Sequence, residues 1–269
     1  MKIVLDLDKT LEENAGGYFD KAKKARKKID GARKAVELAK VRLEKSQQKK
    51  ELEEKKQFEA QAQRSRKKAW YEKFRWFFTS DGLLVISGKD ASSNEVVIKK
   101  HAEKDDLVFH TDMAGSPFTV LKNPGGKEVP VLSRDEAAVF TATFSKAWVQ
   151  GLRYVDVFEV NPGQVTKEAR AGEYVAKGSF MVYGKRKNHH ASLSLAIGLY
   201  EGKENPGAVM SGPESAVRKH CSKHVSLKQG SSKKGDISKK IMKYLGLHSN
   251  DDVLASVPSG GFDIQKDKK

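Results

Sequence analysis

The sequence predicts an α+β protein: a mixed-sheet domain preceded by an α-helical coiled-coil arm. Three observations predict it. Residues 12–73 contain no proline and repeat small and apolar residues at steps of four and three. From Phe74 onward the texture changes to short β-type runs broken by glycine and proline, interleaved with helix-start signals. The charge is also unevenly placed. Of a net +16, residues 21–76 hold 21 Lys and Arg against 8 Asp and Glu, and residues 218–245 hold 9 against Asp236 alone. The expected division is a helical arm over 1–73, a domain over 74–262 and a polar, frayed tail over 263–269.

The arm carries a seam of Tyr18, Ala22, Ala25, Ile29, Ala32, Val36, Ala39 and Leu43. Alanine makes the seam narrow, so a facing helix should sit close. After Leu43 the pattern weakens through SQQKKELEEKKQ, and Leu52, Phe58 and the alanines near 60 offer a poorer stripe. Two helices, 12–45 and 50–73, folded back as a hairpin are expected. The alternative is a single rod whose seam needs a second chain.

In the domain, FRWFFTSDGLLVISG reads as strand, tight turn at Ser80-Asp81-Gly82, strand. Its aromatics, Phe74, Trp76 and Phe78, are read as sheet core rather than base-stacking groups. ASSNEVVIKKHA reads as a short helix, LVFHTD and FTVLKN as strands, and NPGGKEVP as a loop. Ser133 with Glu136 three residues on predicts a capping box that starts a helix running through Trp148. YVDVFEV, SFMVYGK and SLSLAIGLY are further strand candidates. Pro213 predicts a helix over 214–223, and DISKKIMKYLG is a short amphipathic helix capped by Gly246.

Function classes narrow quickly. Two concentrated basic patches fit a polyanionic partner, of which nucleic acid is the commonest; a solvated, merely solubilising face is the alternative. Cys221 is the single cysteine, so no intramolecular disulfide forms, as suits a reducing compartment. No long apolar run predicts a signal peptide or membrane span. The opening KIVLDLDKTL has the Asp6, Asp8, Thr10 spacing of dehalogenase-type phosphatases. That chemistry needs the motif at the end of a buried strand in a doubly wound sheet. Here a heptad arm follows at once, so Asp8 or Thr10 is expected to cap the helix, with Ile3, Val4 and Leu5 as an apolar lead-in. His220, Cys221 and His224 lack a fourth ligand among many lysines, so no metal and no cofactor are expected. His110 and Asp112 are a candidate buried pair without a nucleophile beside them.

Several linked stretches resemble the NFACT family of ribosome-quality-control factors. LDLDKTLEENAGGYFDKAKKARKKIDGARKAVE is similar to the start of that family's coiled coil. WYEKFRWFFTSDGLLVISGKDASSNEVVIKKH, DLVFHTDMAGSP, TFSKAWVQG, VNPGQVTKEARAGEYVAKGSFMVYGKRKN and LAIGLY follow the order of its RNA-binding domain. The resemblance covers about residues 3–200. It implies a cytoplasmic protein that binds rRNA or tRNA on the large ribosomal subunit and is not itself an enzyme. The family's N-terminal domain is not in this sequence, so elongation of a stalled chain by this chain alone is not expected. Lys89 stands where the family usually has Arg, and Ala114 where many members have a second His.

RNA recognition needs cations for phosphates and polar groups for 2′-hydroxyls. The candidate contacts on the arm are Lys23, Lys24, Lys27 and Lys28. Those in the domain are Lys89, Asp90 and Asn94 of the GKDASSNE motif and His110 of LVFHTD. Lys167, Lys177, Lys185, Arg186 and Lys187 complete the set. The start of the helix after Gly88 is a candidate phosphate site, with a plain turn-and-cap role as its alternative. The competing function is a scaffold whose coiled coil recruits a protein partner.

Overall fold

Residues 3–64, 66–168 and 175–265 are described by a computed structural model, with the backbone alone for 51–64. The weak stripe at Leu52 and Phe58, part of the VNPGQVTKEARAGEY run and tail residues 266–269 therefore lie outside the described side chains or residues. The chain divides into two units, Met1–Arg64 and Ser65–Lys269.

The first unit is one helix, α1 (Leu11–Arg64), not the expected hairpin. SQQKKELEEKKQ weakens the apolar seam but contains only residues that favour helix, so nothing interrupts the backbone hydrogen bonds. At 1.5 Å per residue the rod runs roughly 80 Å. Its start is built from the opening motif. Thr10 Oγ1 accepts from Glu13 N at 3.2 Å, and Glu13 Oε2 accepts from Thr10 N at 2.8 Å, a reciprocal cap. Asp6 pairs with Lys9 at 2.9 Å. Asp6, Asp8 and Thr10 are exposed and follow no strand, which removes the phosphatase placement. Ile3, Val4 and Leu5 are exposed rather than tucked away, and Tyr18 Oη donates to Val4 O at 2.8 Å. Ile29, Val36 and Leu43 of the seam are 53%, 55% and 60% exposed, so the described chain does not cover it.

The second unit begins before Phe74. Arg66 pairs with Glu72 at 2.6 Å, Lys68 with Asp252 at 2.8 Å, and a 3₁₀ turn (Trp70–Lys73) buries Tyr71. A six-stranded sheet follows, in the order β1-β2-β4-β3-β5-β8. Its strands are β1 (Arg75–Phe78), β2 (Leu84–Ser87), β3 (Leu107–Thr111), β4 (Thr119–Leu121), β5 (Tyr154–Val160) and β8 (Lys187–Ser192). β6 (Val165–Thr166) and β7 (Met181–Val182) pair as a small ribbon beside it. β9 (Leu195–Leu199), β10 (Val209–Gly212), β11 (His224–Gln229) and β12 (Phe262–Ile264) form a second sheet, ordered β10-β9-β11-β12. Every pairing among the described residues is antiparallel. The sheets meet where β1 runs beside β10; a Cβ on Gly212 would lie 2.9 Å from the Phe77 ring, so glycine permits the close approach.

Phe74, Trp76, Phe77 and Phe78 are all buried, as core aromatics should be. The β1–β2 turn is tight, with Gly82 at φ 84°. α3 (Val131–Thr143) covers the first sheet and is followed by the short α4 (Ala147–Gln150), so the helix expected to run through Trp148 breaks at Phe144. The expected capping box is absent, because Pro130 occupies the cap position without a side-chain bond. Ser133 and Glu136 instead point into the β1–β2 turn. Ser133 Oγ bonds to Thr79 Oγ1 at 2.8 Å and Asp81 Oδ2 at 2.7 Å. Glu136, 3% exposed, accepts from Ser80 N at 2.7 Å, Ser80 Oγ at 2.5 Å and Ser215 Oγ at 2.6 Å.

α5 (Glu214–His220), α6 (Lys234–Leu245) and α7 (Asp251–Ser256) pack around the second sheet. Gly246 closes α6 at φ 77°, as expected. The frayed tail is corrected in part: residues 262–264 pair with β11, and Phe262 is fully buried. His220 and His224 rings bond to the carbonyls of Thr79 and Cys221. Burial pushes the Cys221 thiol up to about 12.

Removing the Glu136 carboxylate strands two buried donors, the Ser80 N–H and hydroxyl, and leaves the exposed Ser215 hydroxyl to water. Glu136→Ala is expected to cost ~2–4 kcal/mol. Urea unfolding should show a lower midpoint with an unchanged slope; an unshifted midpoint would contradict the role given to this carboxylate.

Candidate nucleic-acid interface

The site grows from the end of β2. Gly88 N donates to Phe118 O at 3.1 Å, and Arg75 Nη1 donates to Gly88 O at 2.9 Å. Asn94 Oδ1 accepts from Phe118 N at 3.2 Å, and a Cβ on Gly88 would lie 1.9 Å from that same oxygen. Glycine is therefore required for close approach. Three segments meet there: the β2 end, the first turn of α2 (Ala91–His101), and the 113–118 loop between β3 and β4.

A fourth segment closes over them. Gly178, at φ 80°, packs so tightly that a Cβ would lie 2.4 Å from Ala91 Cα. Its N–H donates to Glu95 Oε1 at 3.1 Å. Lys167 and Lys99 also pair with Glu95, at 2.8 Å and 3.2 Å. The Lys167 contact, the Gly178 N–H and Lys99 together pull the Glu95 carboxyl down to about 2.

Between these segments lies a cleft of about 510 Å³, the size of a small-ligand site. Six of the expected contacts line it: Lys89, Asp90, Asn94, His110, Lys177 and Arg186. Three of these also have structural tasks. Asp90 is the N-cap of α2, accepting from Ser93 N at 2.8 Å, so the helix start is already capped by a carboxylate. Asn94 holds Phe118. His110 stacks on Phe118 with ring centroids 4.1 Å apart, and burial pulls its imidazole down to about 4. The expected His110–Asp112 pair does not form as a buried unit. Asp112 is exposed, and its carboxylate meets Arg186 at 3.0 Å while the Arg186 guanidinium lies 4.3 Å above the Phe158 ring.

The other expected residues lie elsewhere. Lys167 is a tie rather than a cleft cation, bonded to Glu95 and Ala176 O and 4.6 Å above the Phe180 ring. Lys185 and Lys187 flank Arg186 and line a neighbouring shallow groove with Asn161 and Gln164. Lys23, Lys24, Lys27 and Lys28 are exposed on α1, in the other unit.

Arg75, Ser116 and Phe180 also line the cleft and were not picked out from the sequence. Arg75 is the one charged residue in a run of aromatics, and that was its signal. Its guanidinium lies 4.6 Å above the Phe144 ring, and burial pulls it down to about 10. Burial, then the positive charge of Arg75 and Lys68, also lowers the Lys89 ammonium.

The family model for the NFACT protein RNA binding domain matches residues 73–184, which takes in the cleft from Arg75 to Val182. The chain belongs to the NFACT family. Over 220 residues this NFACT chain is 38% identical to the archaeal Rqc2 homolog aRqcH of Methanocaldococcus jannaschii, covering 80% of this chain and 32% of that protein. Over 202 residues it is 36% identical to the ribosome quality control complex subunit NEMF homolog of Drosophila melanogaster, covering 73% and 20%. It is 35% identical over 177 residues to the human subunit NEMF, covering 64% and 16%. The chain thus spans a third or less of these NFACT relatives. Among the described residues no helix is long and apolar enough to cross a membrane.

The half-buried His110 gives a pH signature. It is lowered from 6.5 to about 4 in the fold, so between those values the unfolded chain holds the extra proton. The associated stability is complete above pH 6.5 and is lost as pH falls toward 4. The His110 ring should remain neutral by NMR at pH 5.5, and His110→Phe should flatten the stability slope between pH 6.5 and 4. A ring midpoint near 6.5 would contradict this burial.

Proposed function

We propose that this NFACT chain is a cytoplasmic, ribosome-associated RNA-binding protein of the quality-control pathway, contacting rRNA or tRNA on the large subunit without catalysing a reaction. The observation that carries the reading is the cleft, where Arg75, Lys89, Lys177 and Arg186 converge and the carboxylates among the described lining residues are Asp90 and Asp112. Asp90 is taken up as a helix cap and Asp112 by Arg186, so the wall keeps an excess of positive charge. Such a surface meets phosphates, and its walls offer backbone and hydroxyl groups to ribose. The family and the names of its relatives supply the ribosomal setting.

The arm adds a second cationic surface. Lys23, Lys24, Lys27 and Lys28 stand off the Ala/Ile seam, so they can meet a polyanion while the seam meets another helix. The exposed seam favours a second reading, in which the arm recruits a protein partner and charge matters little.

Salt distinguishes the two. Affinity of the full chain for ribosomes should fall steeply with salt, with a log–log slope of roughly −0.7 to −0.9 per phosphate contact. Reversing the charge of Lys23, Lys24, Lys27 and Lys28 should make that slope shallower by about three to four contacts and reduce co-sedimentation with ribosomes, without changing the urea midpoint. A flat salt response with undiminished co-sedimentation would favour the scaffold.

A further inference from the structure

The cleft has an unusual wall. Ser116 is 4% exposed, lines the cleft, and its Oγ has no hydrogen-bond partner among the described residues. The Nε of Arg75, also in the wall, is buried and equally unpartnered. Two orphan polar groups in one wall are costly, and each requires an explanation. A chain of hydrogen bonds joins the two segments. Arg75 is bonded to Gly88 O, and Gly88 N to Phe118 O two residues beyond Ser116.

Positive charge at this place outnumbers negative: the carboxylates acting on Arg75 and Lys89 are Asp90 and Asp252, and Asp252 already pairs with Lys68. Arg75 stands close enough to Lys89 and to Lys234 to lower both ammoniums, after burial, which is the larger cause for each. Asp90 is the one carboxylate that raises Arg75, and it is already the cap of α2. Like charges gathered in a half-buried wall are stabilised by an anion of compact, multivalent form. The lining also holds apolar groups, Met113 and Phe118 from the 113–118 loop and Phe180 and Met181 from the segment that closes over it. A volume of about 510 Å³ accommodates far more than a bare anion.

We propose that the cleft is a pocket for one nucleoside monophosphate unit, its phosphate held by Arg75, Lys89 and the Ser116 hydroxyl and its base against the Phe180–Met113 side. The choice of a nucleotide over other phosphate esters rests on the RNA-binding reading above. The same unit can come from an RNA end or from a free nucleotide. On binding, Ser116 Oγ donates to a phosphate oxygen and the Arg75 guanidinium gains its missing acceptor. No bond is made or broken.

The test titrates the full chain with adenosine 5′-monophosphate, adenosine and inorganic phosphate by calorimetry. It adds a pentaribonucleotide with and without a 5′-phosphate. The monophosphate should bind at least about tenfold more tightly than adenosine or phosphate. Ser116→Ala and Lys89→Gln should each weaken it by about tenfold. Ser116→Ala removes an unpartnered buried group, so its urea midpoint should be unchanged or raised, which separates lost binding from lost folding. If the 5′-phosphorylated oligomer matches the monophosphate, the ligand is an RNA end; if the free monophosphate alone binds, it is a nucleotide. Equal affinity for monophosphate and adenosine, or full binding by Ser116→Ala, overturns the pocket. A steep salt response to ribosomes would then still stand, and a flat one beside normal monophosphate binding would instead overturn the RNA reading.

Discussion

The functional face depends on one close approach: the backbone of Gly88 against the side chain of Asn94. Any side chain at Gly88 would occupy the space of the Asn94 amide oxygen. With the glycine in place, Asn94 reaches Phe118 N, Phe118 O reaches Gly88 N, and Gly88 O receives Arg75. Four backbone groups are thus satisfied around a junction of strand, helix and loop. The same junction brings a guanidinium and an ammonium into a wall that also carries Asp90, Asn94 and Ser116. Half-buried charge of one sign is expensive, and with Asp90 taken up as a helix cap and Asp252 by Lys68 this wall favours an anion from outside.

The rest of the domain serves to hold that junction still. Glu136 and Ser133 pin the turn that ends β1, the strand that carries Arg75. The Gly178 strap is fastened to α2 through Glu95, with Lys167 as a further tie. His110 and Phe118 fill the floor as a stacked, neutral pair. The second sheet supports β1 from its other side through Phe77 and Gly212. The arm is a different kind of element. It is a long helix with exposed cations and an uncovered apolar seam, and it gains from partners rather than from its own packing.

Much of this was legible in the sequence where local chemistry decides the structure. The Ser80-Asp81-Gly82 turn, the ASSNEVVIKKHA helix, the Gly246 stop and the burial of the β1 aromatics all follow from residue types at fixed spacing. The NFACT resemblance rested on such motifs and located the domain. Reading failed where tertiary partners override local signals. Ser133 and Glu136 have the spacing of a cap but are claimed by the β1–β2 turn, which lies more than 50 positions earlier. The basic run over 218–245 concealed β11, because buried Val225 and Leu227 sit among Lys223, His224 and Lys228, whereas α6 was legible from its amphipathic DISKKIMKYLG stretch. The arm continued unbroken because a weak seam is not a helix breaker. The cleft could be anticipated only in pieces, since its wall combines residues from segments over 100 positions apart. Lys89, Lys177 and Arg186 were in view as cations. Ser116 and Arg75 were not, because an orphan hydroxyl and a strand arginine acquire meaning only once their surroundings are built.

On this reading RNA meets the chain at the Gly88 junction. Ultraviolet cross-linking of the full chain to ribosomes, followed by mass spectrometry of the peptide–RNA adducts, tests it most directly. Adducts should concentrate in the peptides carrying Lys89, Met113–Phe118 and Lys177–Arg186. Adducts confined to the α6 region, with those peptides unmodified, would contradict it.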